Sequence, residues 1–229
     1  MFTKLKSLLK TFAGKALFVV AFVLAFFLVK EGKQILVREN AMSSATSKVN
    51  ETMAGEIKNA QAQATQEKSA TEVLSDNLKK QLSATLEAAN TEKQKIVVAS
   101  NTFFGAYFLN TRTRPAYCRA LGTPTPAFAN AYAIYHRDLF STAEEIQIQD
   151  FKENNHAYNI DKLYALIAPA LEKVIAQDMK DAAAALKISE GEVCRSMEQD
   201  ANLWVTELDY KKQLPEVAQL LLKSGNANR

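Results

Sequence analysis

The sequence predicts an all-α protein. No segment alternates apolar and polar residues as a strand would, the stretch from Gln34 to Asn101 is rich in Ala, Glu, Lys and Gln with no proline, and the final half is punctuated by helix-start signals. Four parts are expected in order. They are a short basic amphipathic segment (1–11), a transmembrane helix acting as a signal anchor (12–30), a long helical, coiled-coil-like stalk (31–102), and a small helical bundle (103–229).

Charge and aromatic content divide along the same boundaries. Residues 1–30 carry five lysines and no acid, residues 31–102 carry nine basic and nine acidic side chains, and residues 103–229 carry fourteen basic and sixteen acidic ones. The net charge of +3 therefore comes from the N-terminal segment, and no basic patch elsewhere calls for nucleic acid as a partner. Aromatics are absent from 31–102, whereas fourteen lie between Phe103 and Tyr210. The bulky side chains that anchor a compact core are thus expected only in the last part.

From Ala16 to Val29 the chain is apolar without a break, bounded by Lys15 and Lys30. Adding Phe12 to Lys15, with the lysine snorkelling, gives a helix of about 27 Å, close to the thickness of a bilayer core. The residues that follow, KEGKQILVREN, hold no small-x-small cleavage pattern. An uncleaved anchor is expected, with the acid-free N-terminus cytoplasmic and the remainder extracytoplasmic, as in a periplasm. The bilayer is then the first partner. Lysines alternating with Phe2, Leu5, Leu8, Leu9 and Phe12 suit a lead-in lying on anionic lipid, although they also serve simply to set topology.

In the stalk, apolar residues run Met42, Val49, Met53, Ile57, Ala60, Ala64, then Leu74, Leu78, Leu82, Leu86 and Ala89. Several repeat every eleven residues, a spacing of straight or right-handed bundles rather than the left-handed heptad coil. Two readings follow: homo-oligomerisation through this seam, or a solvated spacer. As one helix the segment would reach about 110 Å; a hairpin near Thr65 to Ala70 would halve that, though no Gly or Pro there signals a turn.

The last part contains a run of helix signals. Phe103, Phe104, Tyr107 and Phe108 share a face before Pro115, which is expected to end that helix. Thr125 caps a helix opening at Pro126; Ser141 and Glu144 suggest a capping box for a helix through Phe151; and Asn159 caps a long helix with a kink expected at Pro169. Ser189 and Glu192 form another box leading to Leu208, and Pro215 opens a helix that Gly225 is expected to close.

Candidate chemistry is sparse. The two cysteines, Cys118 and Cys194, are the expected disulfide if the domain is exported. No metal or cofactor motif occurs, and His136 and His156 lack ligand spacing. Arg112, Arg114 and Arg119 around Tyr117 are read as a loop able to bind an anion, such as a glycan carboxylate, a lipid headgroup or a partner's acidic face, against the plainer reading of solvated charges at a helix end. The function expected is a single-pass membrane-anchored scaffold or interaction protein of the cell envelope, with an envelope protein or glycan as partner. The alternatives are a sensor ectodomain with a separate signalling partner and a helical glycan-acting enzyme, and a deep cleft around an acid of raised pKa would favour the last.

Overall fold

The computed structural model describes residues 39–227, with side chains from 44 to 225. The segments expected as the basic lead-in (1–11) and the transmembrane helix (12–30) lie outside these residues. Among the described residues no helix is long and apolar enough to cross a membrane, and no strand occurs.

The chain folds as α1 (Glu39–Gln63), α2 (Ala70–Ala88), α3 (Glu92–Phe108), a wide π-type turn (Leu109–Thr113), α4 (Arg114–Ala120), α5 (Pro126–Tyr135), α6 (Arg137–Glu153), α7 (Ile160–Leu186), α8 (Glu190–Gln199), α9 (Ala201–Glu207), α10 (Tyr210–Gln213) and α11 (Pro215–Ala227). The core centres on α3. Its Phe103, Phe104 and Phe108 are fully buried, and the Phe103 ring meets Tyr210 edge-on at 5.2 Å. Helix α6 lies antiparallel to α3, since Ser100 Oγ donates to the Ala143 carbonyl at 2.9 Å while Phe104 meets Phe140 and Lys93 pairs with Glu153.

No free-standing rod is present in the described part of 31–102. Helix α1 ends in a turn in which the Thr65 amide donates to the Lys68 carbonyl, and Ser69 and Glu72 form a capping box that opens α2. Polar capping chemistry reverses the chain here without Gly or Pro. The stripe Ala45, Val49, Met53, Ile57 and Ala60 is buried, with α1 packed on α7 and α2. The seam that could have joined copies is thus occupied within the chain. Burying Val49, Met53 and Ile57 contributes roughly 1.5–3 kcal/mol each, before the entropy of ordering the arm is subtracted.

Three contacts give the direction of this arm. Lys173 Nζ donates to the Asn50 carbonyl, Gln61 Nε2 donates to Gln177 Oε1 at 2.7 Å, and Asp181 Oδ2 accepts from both the amide (2.9 Å) and the hydroxyl (2.7 Å) of Thr71. Their order rises together along both segments, so α1 runs parallel to α7.

Several helix boundaries differ from the sequence expectation. Pro115 does not end the aromatic helix; the chain continues through the π-type turn, and proline sits in the first turn of α4, where its missing N–H costs nothing. Ser141 lies inside α6, which begins at Arg137 and has His136 as its cap. The helix expected from Ser189 to Leu208 breaks at Asp200 into α8 and α9, and Gly225 lies within α11 rather than after it. Asn159 does cap α7, accepting from the amides of Asp161 and Lys162, and the Ser189–Glu192 box opens α8. Thr125 precedes Pro126 as expected, but its side chain makes no capping bond; Glu198 of α8 accepts from the Ala127 amide instead.

Candidate functional site

Cys118 and Cys194 form a disulfide, with an S–S distance of 2.04 Å, that joins α4 to α8, and both residues are fully buried. Close by, the Tyr117 hydroxyl donates to Glu190 Oε2. Burial, followed by the hydrogen bond and the charge of Glu190, pushes this phenol up to about 12.

The segment expected as an arginine-bearing loop is instead helical, and its four side chains do not converge. Arg114 is buried. Its Nη1 donates to Asp178 Oδ2 at 2.7 Å and its Nε to Asn110 Oδ1 at 3.1 Å. Burial pushes the Asp178 carboxyl up, and the Arg114 guanidinium pulls it back only in part. Arg112 remains at the surface, paired with Asp161 at 2.8 Å and lying 5.0 Å from the ring centres of both Phe108 and Tyr164. Arg119 is exposed in the last turn of α4. Of the group, then, Arg114 is closed to a surface ligand, Arg112 already has a carboxylate partner, Tyr117 is half-buried and Arg119 is exposed.

A second buried polar clip joins the α5–α6 corner to α10. Asp209 caps α10 by accepting from the Lys211 amide, Tyr135 donates to its Oδ2 at 3.1 Å, and its Oδ1 lies 3.3 Å from His136 Nε2. The same Nε2 accepts from the Tyr210 amide at 3.1 Å, while Nδ1 faces the Tyr132 carbonyl at 3.1 Å. Burial raises the Asp209 carboxyl, but the contacts with His136, the Lys211 amide and Tyr135 outweigh it and hold the group below its ordinary value.

The opposite end of α6 carries a concave surface. The loop 154–159 between α6 and α7 borders a pocket of about 290 Å³ lined by Phe151, Asn155, His156, Tyr158, Asn159 and Lys162. The Phe151 ring meets Tyr158 edge-on at 5.7 Å. The Tyr158 hydroxyl is shielded from solvent and has no partner at full hydrogen-bond geometry. Burial, then the nearby Glu144 carboxylate, raises it well above the ordinary phenol range. In the sequence, Phe151 and Asn159 stand out only as a helix end and a helix cap and His156 only as lacking ligand spacing, and nothing there brings these residues together as a site. The available signal was the NNHAYN stretch, dense in turn formers, in which Asn155 takes a positive φ.

The class these features define, among the described residues, is a disulfide-stapled, all-helical domain with a pocket at a helix–helix loop. Comparisons with protein-family models, with curated proteins and with solved structures yield no match. Its function must therefore be argued from the chain's own chemistry.

Proposed function

We propose that this chain is a single-pass membrane-anchored scaffold or interaction protein, with its helical domain held on the oxidising side of a cell-envelope membrane. The observation that carries this reading is the Cys118–Cys194 disulfide, the chain's only two cysteines joined in the core, since such a bond persists where thiols are not kept reduced. The sequence supplies the anchor: an acid-free, lysine-bearing start and the apolar run from Ala16 to Val29. Support for a scaffold over an enzyme comes from Asp178, the carboxyl that burial raises, which is sealed in the core against Arg114 rather than presented in a cleft.

With α1 and α2 folded onto α7, the described part of 31–102 forms no free rod, so the domain works nearer the bilayer than a stalk of about 110 Å would hold it. Fractionation and thiol blocking in intact cells test the proposal. The chain should sediment with membranes through alkaline extraction, and its thiols should alkylate only after reduction in denaturant. A freely soluble chain, or thiols that react without reductant, would overturn it.

A further inference from the structure

We propose that the pocket at the 154–159 loop is a site for one ring of a neutral glycan; this names a partner for the interaction-protein reading above and rests on it for the cell-envelope setting alone. The wall carries the groups such a ligand needs. Tyr158 is half-buried, with its hydroxyl shielded and its ring edge-on to Phe151 at 5.7 Å, so a fixed aromatic surface lines the cavity. A tyrosine ring offers apolar area at small entropic cost and can take the C–H face of a sugar. Beside it stand the carboxamide of Asn155 and the ammonium group of Lys162, both on exposed residues. Asn159 accepts from the amides of Asp161 and Lys162 through Oδ1, so its Nδ2 remains a donor. These groups supply donors and an acceptor for sugar hydroxyls, each of which can both donate and accept.

The surroundings argue against other ligand classes. Charges at this end cancel: Lys162 is offset by Glu144 beside Tyr158, Lys93 pairs with Glu153 and Arg112 with Asp161, and Glu92 and Asp150 balance Lys95 and Lys152. No net field selects an anion or a cation. Of the large hydrophobics exposed among the described residues, Leu121, Ile134, Tyr135 and Ile148, none lines the cavity, so an acyl chain or the apolar face of a peptide helix finds no anchor there. With no strand among the described residues, an extended peptide has no sheet edge to join. At about 290 Å³ the cavity lies at the small end of ligand pockets, which suits a single sugar unit.

The test is retention of the full chain, carried in phosphatidylcholine nanodiscs, on an array bearing neutral glycans beside glycans with uronic or sialic acid. Neutral glycans should hold the chain at low and high salt alike, and a retained glycan added in solution should slow amide exchange from Asn155 to Lys162 several-fold. Tyr158→Ala and, separately, Asn155→Gly/Lys162→Met should each weaken retention about tenfold. The double variant keeps the turn at Asn155, whose φ is 57°, and alters only exposed side chains, so its melting temperature should match the parent's. Retention by acidic glycans alone, retention by none, or neutral binding that the folded double variant leaves unchanged would overturn the site while leaving the anchor intact. A chain that stays out of the discs would overturn the anchor, and its retention from free solution would still decide the pocket.

Discussion

Arg114 and Asp178 meet at 2.7 Å between α4 and α7, each side chain only 3% exposed, with Asn110 bracing the guanidinium from one turn earlier. The pair connects the start of α4 to α7, the longest helix among the described residues. A charge placed so deep is tolerated only while its partner is present.

Arg114→Met or Asp178→Leu alone should therefore cost about 3–5 kcal/mol, because each leaves an unpaired polar group in the core. Combining the two replacements should recover most of that loss. Urea denaturation of the four proteins measures the cycle, and a double variant as unstable as the sum of the singles would contradict the account.

The Asp209 clip gives a pH dependence of definite sign. Its folded pKa is depressed, so its contribution is present above the unfolded value of about 3.9 and is lost as pH falls through the lower folded value. Asp209→Asn should be less stable than the parent at neutral pH, and the gap should close under acid. Thermal melts from pH 7 down to pH 2 show whether the curves converge.

Legibility followed how local each determinant is. The Asn159 cap, the Ser189–Glu192 box and the aromatic face of α3 are written within a few neighbouring residues, and periodicity finds them. Asp178 was legible in principle: it falls in phase with Leu171, Val174, Ile175 and Ala182 on the buried stripe of α7, and an acid on such a stripe implies a buried partner. The fold-back of α1 was not legible, because its apolar stripe serves a partner chain or a distant segment equally well. The contacts that decide it, Thr71 with Asp181 and Gln61 with Gln177, are 110 and 116 residues apart in the chain. The arginine group misled for a related reason. Three arginines close in sequence look like one patch, but helical geometry sends Arg114 inward and leaves Arg112 and Arg119 outside.

Asp181 acts as a tertiary cap on α2, so Asp181→Ala should loosen the arm specifically. Losing both bonds to Thr71 is expected to cost about 1–2 kcal/mol. Hydrogen exchange should accelerate across 39–88 while the buried amides of α3 stay protected. Uniform acceleration over the whole domain would mean that arm and core unfold as one unit.

Removing the disulfide with Cys118→Ser/Cys194→Ser should destabilise the domain by about 4 kcal/mol, as closure of a 76-residue separation requires. The parent should melt lower in strong reductant only once unfolding exposes the buried sulfurs. A melting temperature unaffected by both treatments would show that the core alone sustains the fold.

The parallel course of α1 and α7 has a mechanical consequence. Tension applied through the N-terminal segment pulls on Glu39 along the axis of α1, so Val49, Met53, Ile57 and the Asn50 and Gln61 contacts are all loaded at once in shear. The reverse orientation would let the same tug unzip them one after another, starting from the pulled end. As built, the arm resists being stripped from the domain by a pull on its N-terminal side.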